Sequence, residues 1–379
     1  MHYFDHAATS FPKAPGVAAE AARFLDEDAG NAGRGGHALA QRAADALERA
    51  RLALARLLGV ADASRIALQS GTTAALNVAL RGLLVPGDRV LLGPEAHNSV
   101  LRPLAVLARE RGVVREEVAA DEVLRWDLAD LEARLRAGPA ALVVVSHGSN
   151  VTGAVQDLPA ISSLCRAAGA RLLVDAAQTV GALPLDLGET PVDLLAFSGH
   201  KGLLGPTGTG GLYVAPGHEL EPQVVGGTGS RSEDEEPPRE LPGALEAGTP
   251  NAFAFAALGA ALRWIEQQTP AALHARSAAL GARLRAGVRA LPGVTLHAAE
   301  GEHDLAVISF VVAGWEPQEL ALALDAAAGI CVRAGLHCAP RAHRRLGTLP
   351  RGTVRASLGP GLGEEDVEVF LATLRELTA

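Results

Sequence analysis

Short apolar runs alternate with longer amphipathic stretches through the first two thirds of the chain. Runs such as 141–145 are uniformly apolar, which is typical of strands buried on both faces. The longer stretches repeat apolar residues at helical spacing, most clearly from Leu39 to Leu58, and Gly59 is a helix stop. This alternation predicts a mostly parallel sheet that is covered by helices on both faces.

The pattern places seven strands and seven helices in this part of the chain. The strands are predicted at 65–68, 89–92, 113–118, 141–145, 171–174, 192–197 and 211–214. The helices are predicted at 17–26, 39–58, 73–84, 100–110, 128–135, 158–168 and 254–267. We predict a large α/β domain at 16–262.

The remaining residues, 1–15 plus 263–379, are predicted to form a smaller α+β domain. Its strands are predicted at 307–312, 331–333 and 354–357, and its helices at 318–328 and 364–377. Two segments lack apolar periodicity. The segment 30–36, which contains Arg34, is predicted to be a flexible break, and 226–251 a surface or subunit-contact segment.

Reactive side chains cluster directly after the predicted strands. They are Thr72 and Thr73, His97, residues 146–150, residues 175–178 and residues 198–201. Ligands of such sheets bind beyond the carboxyl ends of the strands, so these loops are predicted to form one site. The alternative is that polar residues simply favour loops.

Lys201 is the leading candidate for covalent chemistry. The chain has 34 basic residues, but only Lys13 and Lys201 are lysines. Arginine does not form a Schiff base, whereas a lysine in a dry pocket does. Lys201 lies in the glycine-rich stretch 197–205, after an apolar run. The alternative is a solvated loop lysine.

Other loop residues have both a structural and a functional interpretation. Asp175 is either a helix cap or a carboxylate that keeps a pyridine nitrogen protonated, in which case Gln178 can bind the ring hydroxyl. His97 either caps a helix or stacks on a flat ring. Thr72 and Thr73 lie at a helix start, where free amides favour an anion.

Bulk properties narrow the class of protein. A net charge of −9 argues against nucleic acid as a partner, and no apolar run reaches the roughly 20 residues that span a bilayer. No signal peptide is visible, so the cytoplasm is expected. Cys165, Cys331 and Cys338 have the spacing of neither a disulfide framework nor a metal cluster, so no metal site is predicted.

These motifs together resemble the class V (fold type I) pyridoxal-phosphate enzymes, and among them the cysteine desulfurase family. The resemblance covers nearly the whole chain. It rests on 5–10, 70–77, 95–103, 149–153, 174–178, 198–201, 248–251, 333–340 and 354–358. The segment 333–340, Arg-Ala-Gly-Leu-His-Cys-Ala-Pro, narrows it to the Suf-type or selenocysteine-lyase-like branch. The implied fold is a fold type I transferase with a smaller C-terminal domain.

The resemblance also implies roles for individual residues. Lys201 would form the Schiff base with pyridoxal 5'-phosphate and move the α-proton of the substrate. Asp175 would pair with the pyridinium, Gln178 with the ring oxygen, and His97 would stack on the ring. The phosphate would be bound by Thr72, Thr73, Ser198 and His200, and by Thr249 from a second subunit. The substrate would be bound by Asn150 and Arg355.

Cys338 would attack the substrate sulfur, releasing alanine and leaving a persulfide for a protein acceptor. A free cysteine is more often a small buried hydrophobe, and this interpretation suits Cys165 and Cys331. Cys338 instead lies in a loop rich in Gly, His and Pro, where Arg333 and His337 would favour the thiolate.

Three segments depart from the family pattern. His6 stands where the family commonly has asparagine, and Ala96 stands where a glutamate usually precedes the stacking histidine. Residues 356–363 replace a stretch that usually contains aromatic, Asn and Thr residues. The alternatives that remain are a selenocysteine lyase, another class V aminotransferase or lyase, and a sulfur-carrier scaffold without catalysis. The intact set of Lys201, Asp175, His97 and Arg355 argues against the scaffold.

Overall fold

The computed structural model describes residues 1–33, 35–229 and 234–379. Arg34, in the predicted flexible break at 30–36, lies outside the described residues. Residues 230–233, in the predicted surface or subunit-contact segment at 226–251, also lie outside them.

The described residues form eleven α-helices and thirteen strands. The helices are α1 (Val17–Glu27), α2 (Ala38–Leu57), α3 (Thr72–Leu83), α4 (Asn98–Arg111), α5 (Leu128–Ala137), α6 (Leu158–Ala168), α7 (Ala252–Gln268), α8 (Pro270–Arg289), α9 (Pro317–Ala328), α10 (Pro340–Arg345) and α11 (Glu364–Thr378). The strands are β1 (His2–Tyr3), β2 (Ile66–Gln69), β3 (Arg89–Leu92), β4 (Val114–Glu117), β5 (Leu142–Ser146), β6 (Arg171–Asp175), β7 (Leu194–Ser198), β8 (Gly210–Val214), β9 (Val294–His297), β10 (Val307–Val312), β11 (Ile330–Cys331), β12 (Arg333–Gly335) and β13 (Thr353–Ser357).

Seven strands form the central sheet in the order β2-β8-β7-β6-β5-β3-β4. The pairs from β7 through β6, β5 and β3 to β4 are parallel, and β8 is antiparallel to both β7 and β2. The prediction of a mostly parallel sheet is therefore confirmed. Every residue of β5 and β7 is buried, which agrees with the uniformly apolar runs.

Helices cover both faces of this sheet. On one face α1, α2 and α7 pack together, and small residues such as Ala43, Ala50 and Ala257 allow the helices to approach closely. On the other face α3 and α4 pack through Leu76, Leu80 and Leu104. Burying each such leucine stabilises the fold by about 2 kcal/mol.

The C-terminal part has its own sheet, in the order β12-β13-β10-β9, and its own apolar core. Phe4 belongs to this core and lies edge-on to Phe370, with ring centroids 5.0 Å apart. The preceding strand β1 pairs with β11. These contacts support grouping 1–15 with 263–379, and the domain boundary itself stays a prediction.

Four of these elements have no counterpart in the sequence prediction: β1, α8, β9 and α10. The single strand predicted at 331–333 is two strands, β11 and β12, which belong to different sheets. Helix α8 begins directly after α7 has ended, whereas the predicted helix stops at 267 and leaves 270–289 without a predicted element. Its start is nevertheless marked, because the Thr269 side chain accepts a hydrogen bond from the Ala272 amide at 3.2 Å and Pro270 opens the first turn.

No helix among the described residues is both long and apolar enough to cross a bilayer.

Candidate active site

A cavity of about 90 Å³ lies beyond the carboxyl ends of β3, β5, β6 and β7, next to the start of α3. Nine of the residues predicted from the sequence line it. They are Thr72, Thr73, His97, Asn150, Asp175, Gln178, Ser198, His200 and Lys201. The structure thus brings the predicted strand-end loops together, as the topology of a parallel sheet requires.

Lys201 is largely buried in the loop that follows β7. Burial lowers the pKa of its amine to about 8, and the nearby Arg355 and Arg333 act in the same direction, whereas Asp175 opposes them. An amine with this pKa is partly unprotonated near neutral pH, so it can act as a nucleophile or a base.

The loop is fixed through the carbonyl of His200, the residue before Lys201. This oxygen accepts hydrogen bonds from the Ser10 amide at 2.9 Å, from the Ser10 and Thr9 hydroxyls at 3.0 Å each, and from Lys13 Nζ at 3.2 Å. The N-terminal arm therefore holds the peptide that carries Lys201.

Asp175 ends β6 and is buried. One of its oxygens accepts a hydrogen bond from the Ala177 amide at 3.1 Å. Burial raises the pKa of the carboxyl, while the Ala177 amide and Lys201 counteract the shift. A buried carboxylate with a single backbone donor is best stabilised by a cation on its open side.

His97 caps the N-terminus of α4. Its Nδ1 accepts a hydrogen bond from the Ser99 amide at 3.0 Å. Burial, Lys201 and Arg333 lower its pKa to about 4, so the imidazole is neutral at pH 7. Because Nδ1 is an acceptor here, the proton of the neutral ring is on Nε2. The capping and stacking interpretations are compatible.

Hydroxyl groups and free amides surround the start of α3. The Thr72 amide donates to Ser198 Oγ at 3.0 Å, and the Thr72 hydroxyl lies 2.7 Å from the same oxygen. Thr73 Oγ1 lies 2.8 Å from Ser99 Oγ. Gly71, before the helix, has a φ of 145° that other residues rarely adopt. This turn exposes the helix amides, which suit a phosphate.

His200 also faces the cavity. Its Nδ1 is 3.1 Å from the Thr9 hydroxyl, and burial lowers its pKa to about 4. The ring is therefore neutral and would bind an anion by a hydrogen bond rather than by charge.

Arg355, on β13, is fully buried beside this cavity. Its Nη2 donates to Asp5 Oδ1 at 2.7 Å and its Nη1 to the Asn150 carbonyl at 3.0 Å. Each of these nitrogens has a second hydrogen, and Nε has no partner among the described residues. The guanidinium therefore has donors left for a substrate carboxylate.

Cys338 lies in the thiol loop, residues 336–339, between β12 and α10. The thiol is partly exposed, and both His337 and Cys338 have positive φ angles, 47° and 58°. The loop contacts the cavity walls, because the Asn98 amide donates to the Cys338 carbonyl at 2.7 Å and Asn150 Nδ2 to the His337 carbonyl at 2.7 Å.

Only one of the two expected cationic neighbours of the thiol is present. Arg333 Nη2 lies 3.8 Å from Cys338 Sγ. The expectation for His337 is wrong. Its Nε2 bonds the Thr353 hydroxyl at 3.0 Å, and burial holds its pKa well below the usual range, so the ring is uncharged.

Thr249 lies apart from the Lys201 cavity. It borders a different cavity of about 350 Å³, together with Gln69, Ser70 and Asn251. Its predicted role in the site of a second subunit stays a prediction.

Sequence reasoning gave no role to two residues of the site, Asp5 and Glu95. Glu95 is buried, and its carboxyl accepts hydrogen bonds from Trp126 Nε1 at 2.9 Å and the Ser146 amide at 3.3 Å. Burial raises its pKa to about 7. The sequence signal that could have identified Glu95 as a site residue is its position after a predicted strand and two residues before His97.

The model of the aminotransferase class-V family matches residues 2–370. The chain belongs to this family. Its members depend on pyridoxal phosphate, which confirms the cofactor predicted from the sequence.

Several relatives of this class V chain are named cysteine desulfurases. A probable cysteine desulfurase of Pyrococcus abyssi is 35% identical and covers 99% of the chain and 94% of its own length. The apo structure of a cysteine desulfurase from Thermococcus onnurineus NA1 has a TM-score of 0.93 at 33% identity, covering 99% of this chain and 94% of that one.

The crystal structure of the cysteine desulfurase CsdA from Escherichia coli, in an S-sulfonic acid form, has a TM-score of 0.88 at 29% identity. It covers all of this chain and 95% of its own. The fold type I assignment is thereby confirmed.

The cavity of the class V chain fits the cofactor chemically. Pyridoxal phosphate carries an aldehyde, a basic ring nitrogen and a phosphate. The cavity offers an amine of lowered pKa at Lys201, a buried carboxylate at Asp175 and the amide-rich start of α3 near Thr72. Each group of the cofactor therefore has a chemically suitable partner.

Proposed function

We propose that this protein is a pyridoxal-phosphate-dependent cysteine desulfurase. It converts L-cysteine to L-alanine and leaves the sulfur on Cys338 as a persulfide. The observation that carries the proposal is the attachment of the thiol loop to the cavity, through the Asn98 and Asn150 hydrogen bonds. A cysteine that merely filled space would not need this position next to the cavity of Lys201.

Eight side chains would hold the cofactor. Lys201 would hold its aldehyde end, Asp175 its ring nitrogen, Gln178 its ring oxygen and His97 its ring face. The phosphate would be bound by Thr72, Thr73, Ser198 and His200. The bound cofactor supplies an electron-withdrawing ring that stabilises negative charge at the α-carbon of an amino acid.

Lys201 moves the proton of the substrate's α-carbon. The free amine takes up this proton, and the fraction of free amine grows as the pH rises towards the lysine pKa of about 8. The buried surroundings exclude water, which would otherwise compete for the proton.

Arg355 binds the substrate carboxylate. Its contacts with Asp5 Oδ1 and the Asn150 carbonyl fix the plane of the guanidinium before substrate arrives. A fixed guanidinium can accept a carboxylate in a bidentate pair without losing further side-chain freedom. Asn150 connects Arg355 to the thiol loop, because its Nδ2 donates a hydrogen bond to the His337 carbonyl.

Cys338 accepts the sulfur. Its thiolate forms a bond to the sulfur of the substrate, and the carbon–sulfur bond of the substrate breaks with its electron pair left on carbon. That carbon takes up a proton. In total, cysteine and the Cys338 thiol give alanine and a Cys338 persulfide, so no oxidant or reductant is consumed. Arg333 Nη2 lies 3.8 Å from the Sγ atom that accepts the sulfur.

Three further features complete the proposal. The protein is a homodimer in which Thr249 reaches the phosphate of the partner's site. An acceptor protein takes the sulfur from the partly exposed Cys338. The enzyme works in the cytoplasm.

The test is to mix purified holoenzyme with L-cysteine and measure alanine and sulfide, with and without a reductant. Without reductant we expect about one alanine per active site and a persulfide that an alkylating reagent traps on Cys338. With reductant we expect continuous turnover and release of sulfide. No alanine above background would overturn the proposal, and alanine without a trapped persulfide would favour another class V lyase.

A further inference from the structure

Gly359 lies against the ring of His6. A Cβ atom added at Gly359 would be 2.1 Å from His6 Nδ1 and 2.4 Å from Cε1. Gly359 does not have a positive φ, so its backbone would accept another residue. The imidazole, rather than the backbone, therefore excludes a side chain at this position.

Tyr3 confines the His6 ring on a second side. The His6 ring is buried, and it lies edge-on to Tyr3 with ring centroids 5.3 Å apart. Its Nε2 has no hydrogen-bond partner among the described residues. His6 and Gly359 both border a second cavity, of about 70 Å³, that extends to Lys201 and Gln178.

The backbone of His6 is tied closely to the strand that carries Arg355. Around Ser357 the Phe4 carbonyl accepts from the Ser357 amide at 2.7 Å, and Ser357 Oγ accepts from the Ala7 amide at 2.9 Å. The residue before His6 is Asp5, which holds Arg355 Nη2 at 2.7 Å. A shift of His6 would therefore move Asp5 relative to the guanidinium.

We propose that His6 and Gly359 are a matched pair of positioning residues that place Asp5 against Arg355, and so set the affinity for the carboxylate of the amino-acid substrate. The two residues lie in two of the three segments where this chain departs from the family pattern. The inference rests on the proposed function, because it takes Arg355 as the group that binds the substrate.

The test is a double-mutant cycle in the holoenzyme with Gly359→Ala, His6→Asn and the double variant. In Gly359→Ala the new methyl group displaces the ring, and we expect KM for cysteine and the Kd for L-alanine, measured by calorimetry, to rise about tenfold. We expect kcat to stay within about threefold, because Lys201 and Cys338 are untouched. In the double variant, the smaller asparagine should return KM to within about threefold of His6→Asn alone.

Gly138→Ala is the matched control, since a Cβ atom there would meet nothing within 4 Å. It should leave KM and the melting temperature unchanged. An unchanged KM in Gly359→Ala overturns the inference, because the ring would then have turned into the neighbouring cavity without moving Asp5. Equal effects of Gly359→Ala with histidine or asparagine at position 6 overturn it as well.

If Gly359→Ala does not fold, His6→Ala carries the test. Removing the ring leaves Asp5 unsupported, so the Kd for L-alanine should rise with little change in kcat. An unchanged Kd would contradict the inference. Absence of alanine production by the wild-type protein would instead mean that the proposed function has failed.

Discussion

The two sides of the active site are built differently. On the side of the sheet, Asp175 ends a strand that is buried from Leu172 onwards, and His97 caps a helix of fourteen residues. On the other side, Cys338 lies in the thiol loop, where two successive non-glycine residues have positive φ angles. The first side belongs to the central sheet, and the second connects a short strand to a six-residue helix.

The difference corresponds to two chemical tasks. Proton transfer at carbon needs groups whose pKa values have been moved by burial, as at Lys201 (about 8) and His97 (about 4). Sulfur transfer needs a nucleophile that can be reached by a substrate inside the site and by an acceptor outside it. A partly exposed thiol on a loop meets the second requirement, which a buried strand end could not.

The largest expected effect tests the sheet side. In the proposed mechanism, replacing Lys201 with alanine removes both the covalent anchor of the cofactor and the base that moves the α-proton. We expect turnover to fall by at least about 10³-fold. The visible absorbance of the bound cofactor should also change, and circular dichroism should be that of the wild type. Residual turnover above a few per cent would show that another group moves the proton.

The next effect tests the thiol loop. In Cys338→Ala we expect cysteine turnover to fall by at least about 100-fold, since a nucleophile is lost. The cofactor absorbance should be retained because Lys201 is intact, which separates the two sides of the site.

The matched control is Cys331→Ala. Cys331, on β11, is partly exposed like Cys338, so the expectation that it is buried is wrong, whereas Cys165 is buried as expected. The turnover of Cys331→Ala should equal that of the wild type. Trapping of a persulfide on Cys331 or Cys165, rather than on Cys338, would contradict the assignment of the sulfur transfer to the thiol loop.

The smallest effect concerns pH and involves both sides. Burial lowers the pKa of His97 and His200 on the sheet side, and of His343 near the thiol loop, to about 4. Unfolding exposes these rings, whose pKa returns to about 6.5, so below that pH the unfolded chain binds more protons than the folded one. The stabilisation that these neutral rings contribute is therefore fully present above pH 6.5 and is lost as the pH falls towards 4.

We expect the melting temperature of the holoenzyme to drop by about 5 to 10 °C between pH 7 and pH 5. Calorimetric scans at a series of pH values measure this drop, and a return to pH 7 should restore the original value. A melting temperature that stays constant down to pH 5 would mean that these rings can be protonated in the folded state.

The sheet side of the site could be predicted from the sequence because local rules determine it. Apolar runs set the strands, parallel strands end at the same edge, and reactive residues follow those ends. Asp175, His97 and Lys201 were therefore predicted to converge without any knowledge of tertiary contacts. The proposed roles of Lys201 and Asp175 follow from the chemistry of the cofactor, whose aldehyde needs an amine and whose ring nitrogen needs a carboxylate.

Contacts between distant parts of the chain could not be predicted in this way. Asp5 and Arg355 are separated by 350 positions, and no local pattern links them. The uncharged state of His337 depends on its burial and on Thr353, which is 16 residues away. Helix α8 was missed because alanine, arginine and glycine make up most of its sequence and give little amphipathic pattern.

The scarcity of lysine makes Lys201 easy to follow by proteolysis and mass spectrometry. A protease that cuts only after lysine would divide the chain at Lys13 and Lys201, into peptides 1–13, 14–201 and 202–379. Borohydride reduction of the holoenzyme would attach the cofactor permanently to Lys201 and block the second cut, which would leave 14–379 in one piece. The ratio of the two digestion patterns would then report the fraction of sites that carry cofactor, without any measurement of turnover.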